Sequence, residues 1–311
     1  MTYTDSRGAA APEDAPPLIH VTGLRKSHGR HRVLDDLTLS LPPGVHALLG
    51  PNGAGKTTFV SILSTLIPRD SGEVRVLGLD PWADRRRLQR LISLTGQHAA
   101  VDESLSGEEN MQLMGRLFGL SRSRARERSE TLLARFGLTE HARRRAGTYS
   151  GGMRRKLDIA VGLIPEPRLL FLDEPTTGLD TRSRQALWDE IQALADQGTS
   201  VFLTTQYLEE ADVLADQVLV LHGGRIIARG TAEELKAQVG GSTIELRDDA
   251  GHVCEEIPTG GEVDDVARVL HGIAESRPGM RVTVRRPSLD EVFLQLTGAP
   301  PTDQITEEAL S

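Results

Sequence analysis

The chain has 311 residues, 38% hydrophobic and 26% charged, enough material for one large globular domain and a small one. Its net charge of −8 argues against a general nucleic-acid binder, which needs a basic footprint, and no uncharged apolar run reaches the ~18–20 residues that span a bilayer. The single cysteine, Cys254, excludes an internal disulfide and any multi-cysteine metal site.

The first stretch, "MTYTDSRGAAAPEDAPP", has neither a basic start nor an apolar core, so it does not read as a secretory signal. Its Pro, Ala and acidic residues predict a disordered tail over 1–16. "LIHVTGL", "RVLDDLTLSL" and "GVHALLG" are short, partly alternating apolar runs and predict strands. The last runs into "GPNGAGKTT", after which "TTFVSILSTLI" takes helical spacing. Strand, glycine-rich turn and helix in that order predict an α/β nucleotide-binding core. From about 98 to 156 the pattern becomes helical, in "GEENMQLMGRLFGL" and "SRARERSETLLARFGL", and reads as an insertion in the core. Residues 85–156 also carry sixteen Arg and Lys against seven Asp and Glu. That excess fits a docking face for a partner or for anionic lipid, and equally a solvated Arg-rich surface. Strands resume at "RLLFLDE", "TSVFLTT" and "QVLVLHGGRIIARG". Beyond about 237, "STIELRD" and "MRVTVRR" predict strands and "SLDEVFLQLTG" a closing helix, with Ser288 and Glu291 at capping-box spacing and Gly298 as its stop. The expected domains are therefore 17–236, a small α+β domain over 240–298, and a flexible tail from 299 to 311.

Three motifs carry chemistry. Gly50, Pro51, Asn52, Gly53, Ala54, Gly55, Lys56 and Thr57 complete the pattern G-x-x-x-x-G-K-[ST], and Thr58 follows. Such a loop wraps phosphates in backbone N–H groups, Lys56 reaching the β- and γ-phosphates of ATP and the Thr57 hydroxyl serving Mg²⁺. "LLFLDEP" ends an apolar strand in two acids, Asp173 suited to Mg²⁺ and Glu174 to polarising the attacking water as general base. "YSGGMRRKL" sets Ser150, Gly151 and Gly152 before a helix, which is a simple N-cap or a second phosphate cradle. One compact site hardly needs two cradles, so the second fits a neighbouring subunit's nucleotide.

In this order, with "SLTGQ" (Gln97) and "TTGLD", these motifs resemble the ATP-binding subunit of an ABC transporter over about residues 17–235. "LTGQHAAVDE", "YSGGMRRKLDIA", "TTQYLEEAD" and the tail "RPSLDEVFLQLTG" look like the daunorubicin-resistance-type drug exporters. The resemblance implies a P-loop ATPase core with an N-terminal antiparallel β region and an inserted helical subdomain. It implies a head-to-tail dimer of two copies closing on two ATP molecules, each between one P-loop and the other copy's Ser150–Gly152. Gln97 would sense Mg²⁺ and the water, and Gly178, Leu179 and Asp180 would link the two sites. The pore would belong to a separately encoded permease, holding this chain at the cytoplasmic face of a bacterial membrane.

Three positions depart from the family's usual pattern. His28 stands where an aromatic residue generally stacks on adenine, and Met153 where glutamine is usual. Gln206 replaces a histidine that would contact the γ-phosphate. A glutamine amide donates and accepts hydrogen bonds but does not titrate near neutrality, so positioning survives and proton chemistry does not. With Glu174 present as base, hydrolysis is expected to persist. The competing readings are a module that binds ATP without turnover and a soluble, non-transport ABC ATPase acting on ribosomes or DNA. The second usually carries paired cassettes or long coiled-coil arms, and neither is visible in this sequence.

Overall fold

The computed structural model describes residues 17–96, 101–239, 242–248, 252–260, 262–276, 281–285 and 287–298. The predicted terminal tails and Gln97 lie outside them. The chain divides at 227/228 into two compact units.

In the first unit, β1 (Ile19–His28) and β2 (His31–Leu41) form an antiparallel hairpin that brings His28 opposite His31. β3 (Val45–Leu49) leads into α1 (Lys56–Leu63), and β4 (Ser71–Val76) returns to pair antiparallel with the other side of β1. The short α2 (Arg85–Leu88) precedes β5 (Ile92–Thr95). Three helices then follow: α3 (Gly107–Leu117), α4 (Arg122–Arg135) and α5 (Gly151–Gly162). They explain the helical periodicity of the insertion. Ser106 and Glu109 close a reciprocal capping box on α3, and Ser121 caps α4. Gly115 lets the two helices approach, since a Cβ there would lie 2.8 Å from that of Ala125.

The chain returns to the core as β6 (Leu169–Asp173), α6 (Thr181–Asp196), β7 (Ser200–Thr205), α7 (Leu208–Leu214), β8 (Gln217–His222) and β9 (Arg225–Gly230). These complete a six-stranded sheet in the order β5-β6-β7-β3-β8-β9. β3, β6 and β7 are buried along their whole length, as strands of a parallel sheet covered on both faces must be. Phe202 on β7 anchors this core between Phe59 and Phe171, with ring centroids 5.9 and 6.0 Å away. Leu24, Leu34, Leu37 and Val74 of the antiparallel sheet join the same apolar cluster.

The second unit holds α8 (Ala232–Val239), β10 (Ser242–Arg247), β11 (Val253–Thr259), α9 (Val263–Ser276), β12 (Arg281–Arg285) and α10 (Leu289–Thr297). β10 is central in an antiparallel sheet, β11-β10-β12, and its Ile244 and Leu246 pack with Ile273, Val266 and Val269 of α9. Ser288 caps α10 by accepting from the Glu291 amide, and Gly298 ends it in the left-handed conformation. The expected boundary near 236–240 falls later than the observed division. The division falls inside β9, and α8 counts with the second unit, where it packs against α10.

Candidate active site

Strands β5, β6, β7 and β3 are parallel neighbours, so their carboxyl ends share one rim of the sheet. In an open α/β sheet that rim is where ligands bind. The segments leaving it here are Gly96 after β5, Glu174 after β6, Gln206 after β7 and the loop Gly50–Gly55 after β3.

The loop is shaped by close approaches. Gly55 caps α1 at φ 108°, and a Cβ there would lie 2.8 Å from Leu34 and 3.0 Å from the Val33 carbonyl. No side chain caps α1, so its first N–H groups are left for an anion. Lys56 begins the helix and is only 4% exposed. Its ammonium donates to the carbonyls of Gly50 (2.7 Å) and Pro51 (3.3 Å) and pairs with Glu174 Oε1 at 3.3 Å. A cavity of about 430 Å³ opens over the loop, lined by Pro51, Asn52, Gly53, Gly55, Lys56, Thr57, Thr58 and Glu174. Its remaining wall is His31 and Val33 of β2, two residues that no motif flagged. His28 lies beside them on the hairpin, its Nε2 3.4 Å from Thr58 Oγ1.

Asp173 is buried between two hydroxyls, Thr57 donating to Oδ2 at 3.2 Å and Thr204 to Oδ1 at 2.5 Å. Register explains the second contact, because Asp173 and Thr204 are direct partners across β6 and β7. No group of three or more His, Cys, Asp or Glu side chains that could hold a metal occurs among the described residues. A protein cage for a cation is therefore lacking there. The adjacent Thr57 hydroxyl and Asp173 carboxylate do fit Mg²⁺, which keeps most of its shell as water and substrate phosphate.

Glu174 adopts φ 48°, a left-handed conformation rare for a side chain of its type. Its amide donates to the carbonyl and the hydroxyl of Thr204, each at 3.1 Å. Gln206, half-buried after β7, makes no side-chain hydrogen bond among the described residues. One turn on, Glu210 of α7 is wholly buried, and Trp188 Nε1 donates to its Oε1 at 3.2 Å. Burial pushes the Glu210 carboxyl above its ordinary range.

Ser150 caps α5 by accepting from the Met153 amide at 3.2 Å. Gly151 is exposed, and a Cβ there would meet nothing within 4 Å, whereas one on Gly152 would lie 2.7 Å from Ser183 Oγ. Asp180 caps α6, accepting from the amide and hydroxyl of the same Ser183 at 2.8 and 2.9 Å. Gly178 and Leu179 form the turn just before it, the Leu179 amide donating to the Thr176 carbonyl. Ser150, Gly151 and Asp180 are absent from the lining of the cavity over Lys56. The two glycine-rich motifs are thus not joined within one chain.

Sequence reasoning missed Arg155 of α5, which binds the backbone carbonyls of Gly96, Asp173 and Pro175. Burial pulls its guanidinium below the usual value, while Asp158, Glu210 and Asp173 act in the opposite direction. Asp158 stands at helical spacing from Arg154 and Arg155 alike, so the sequence does not single out the second.

The family profile described as ABC transporter matches residues 34–177. The chain is 47% identical to the daunorubicin/doxorubicin resistance ATP-binding protein DrrA of Streptomyces peucetius, over 94% of this chain and 96% of that one. It is 44% identical to the doxorubicin resistance ATP-binding protein DrrA of Mycobacterium tuberculosis (strain CDC 1551 / Oshkosh), over 92% and 95% respectively. Among solved structures, the ATP-binding subunit of an ABC transporter superposes with a TM-score of 0.64 at 28% identity, covering 71% of this chain and 92% of that one.

Proposed function

Since this chain belongs to the ABC transporter family, among its ATP-binding subunits, we propose that it hydrolyses ATP to power export of a hydrophobic drug or antibiotic through a separately encoded permease. The observation that carries the reading is the convergence of Lys56, Thr57, Asp173 and Glu174 on one rim of the sheet. The phosphates of ATP would enter the cradle of Gly50–Thr58 and take over the Lys56 donors that now satisfy the loop carbonyls. Thr57 and Asp173 would hold Mg²⁺, which when bound neutralises phosphate charge. Released from the ammonium, Glu174 becomes free to accept a proton from the attacking water. Gln206, its amide uncommitted, would orient the γ-phosphate and that water. Gln97, outside the described residues, keeps its proposed role as sensor of Mg²⁺ and water. His28 is proposed to stack on adenine, with less area than tyrosine would give.

Ser150 and Gly151, exposed and off the cavity, fit a role toward the nucleotide of a second copy in a head-to-tail dimer, with Gly178–Asp180 linking the two sites. Among the described residues no helix is long and apolar enough to cross a membrane, and the reading assigns the pore to the permease. Docking to it is proposed at the helical subdomain. Between that subdomain and the core, an open pocket of about 290 Å³ mixes Phe118, Leu120 and Ile164 with Arg90, Arg124 and Arg128, the last paired with Glu166. Such a groove suits an amphipathic helix with acidic flanks. The chain would then sit at the cytoplasmic face of a bacterial membrane.

The test is reconstitution with the permease in vesicles, following phosphate release and uptake of an anthracycline. Turnover stimulated by the permease and coupled to uptake is expected. ATP binding without turnover would replace this reading with a binding-only module, and failure to co-purify with a permease would replace it with a non-transport ATPase.

A further inference from the structure

Three basic residues follow one another on α5, Arg154, Arg155 and Lys156, and the structure treats the first two differently. Arg154 pairs at the surface with Glu103 at 2.8 Å. The Arg155 side chain is 11% exposed and turns inward. Its Nε donates to the Pro175 carbonyl at 2.9 Å, Nη2 to Asp173 at 3.1 Å and Nη1 to Gly96 at 2.6 Å. Asp158, one turn on, supplies the counter-charge at 3.4 Å.

The choice of carbonyls is informative. Those of Asp173 and Pro175 flank Glu174, the residue forced to φ 48°, so its backbone is gripped on both sides by one planar group. The third closes β5 at the residue before Gln97. Arg155 does not line the cavity over Lys56, so it reaches the chemistry only through these segments. The helix that carries it also carries the Ser150–Gly152 motif at its start.

We propose that Arg155 is a positioning residue for hydrolysis. Its guanidinium fixes the backbone that aims Glu174 and couples α5 to two loops of the catalytic rim. A planar fork of five donors can satisfy three separated carbonyls at once, and the single ammonium of lysine cannot. Misplacing a reacting group by about 1 Å can reduce a rate on the order of 100-fold, so loosening this grip should act on kcat and spare ATP affinity.

The proposal rests on the ATPase reading, and two measurements on the full chain with its permease separate the two. In the first, Arg155→Lys and Arg155→Met are compared with wild type for ATP affinity and for the kinetics of phosphate release. The expected result is a Kd and KM within about twofold of wild type, with kcat lower by roughly 10- to 100-fold. The second is hydrogen exchange without nucleotide. Faster exchange confined to residues 173–177 and to Gly96 is expected, with β3 and β7 protected as before. Wild-type kcat in Arg155→Met would overturn the proposal. So would a joint fall of kcat, ATP affinity and protection across the whole domain in Arg155→Lys, because that marks a mere packing role. If Arg155→Met does not fold, Arg155→Lys decides. If wild type itself shows no turnover, the ATPase reading fails on its own. Hydrogen exchange then still judges Arg155, unchanged protection at 173–177 sinking it.

Discussion

Helices α1 and α5 both start on a glycine-bearing turn, yet their surroundings are opposite. Around the start of α1 one chain supplies uncapped N–H groups, a buried lysine and a cavity, with Asp173 held between two hydroxyls nearby. The start of α5 has a serine cap, an exposed Gly151 with open space before it, and a Gly152 packed against Ser183. Read as motifs, the two look interchangeable. What distinguishes them is what stands behind each: the first is backed by a cavity and a buried lysine, and the second faces open space, where the proposed dimer would bring the other copy's P-loop.

That contrast can be broken most sharply on the P-loop side. Glu174→Gln removes the proposed base and keeps the side-chain volume, so steady-state phosphate release should fall by about 10²-fold or more while ATP still binds. Retained turnover would take Glu174 out of the role. Gly151→Val is the matching change at the start of α5. Open space around Gly151 predicts a folded chain with ATP affinity within about twofold of wild type and turnover reduced by roughly tenfold or more. If ATP binding to the isolated chain drops as well, α5 serves the same subunit's nucleotide and the contrast collapses. By comparison, Gly152→Val collides with Ser183 and should lower thermal stability by about 1–3 kcal/mol.

Smaller effects refine the comparison. Gln206→Ala should slow turnover by several-fold up to about tenfold, the worth of one ordinary hydrogen bond of about 0.5–1.5 kcal/mol. Gln206→His should retain turnover and acquire a pH dependence centred near 6.5, the ordinary histidine value. A flat profile in that variant would mean that position 206 does not meet the phosphate. The slightest change expected is at Glu210, behind Gln206. Its folded value is raised by burial, so its contribution to stability is complete below the ordinary glutamate range and is lost as pH rises through the raised value. Glu210→Gln, uncharged throughout, should flatten the fall in melting temperature as pH rises above the ordinary glutamate range. An unaltered slope would exclude Glu210 as its source.

The sequence made some of this legible and hid the rest for physical reasons. A P-loop is local: eight consecutive residues specify its turn, its lysine and its helix start, and they appear as read. The caps at Ser288 and Gly298 are equally local, and both form. Thr204 could not be found that way, because its bond to Asp173 depends on the register of two strands 31 residues apart in sequence. Arg155 was hidden for a related reason. Nothing in "MRRKL" tells which of three basic residues turns inward, and only the arrival of β5 and β6 beside α5 decides it. His31 belongs to no motif, and only the register of the hairpin sets it beside His28. β4, β11 and α9 carry no motif and no distinctive flanking turn, and they were not legible.

The left-handed backbone at Glu174 carries a practical lesson for anyone making this protein sturdier. Such a conformation costs a glutamate on the order of 1 kcal/mol, and asparagine or glycine would relieve it. A design procedure that rewards relaxed backbones would therefore choose this residue early. Its product would melt later and, under the function proposed above, stand idle, because the strained bend is what turns the carboxylate from the strand axis toward Lys56. Durability and turnover diverge at that one torsion angle, so a stabilising campaign should leave position 174 untouched and begin elsewhere.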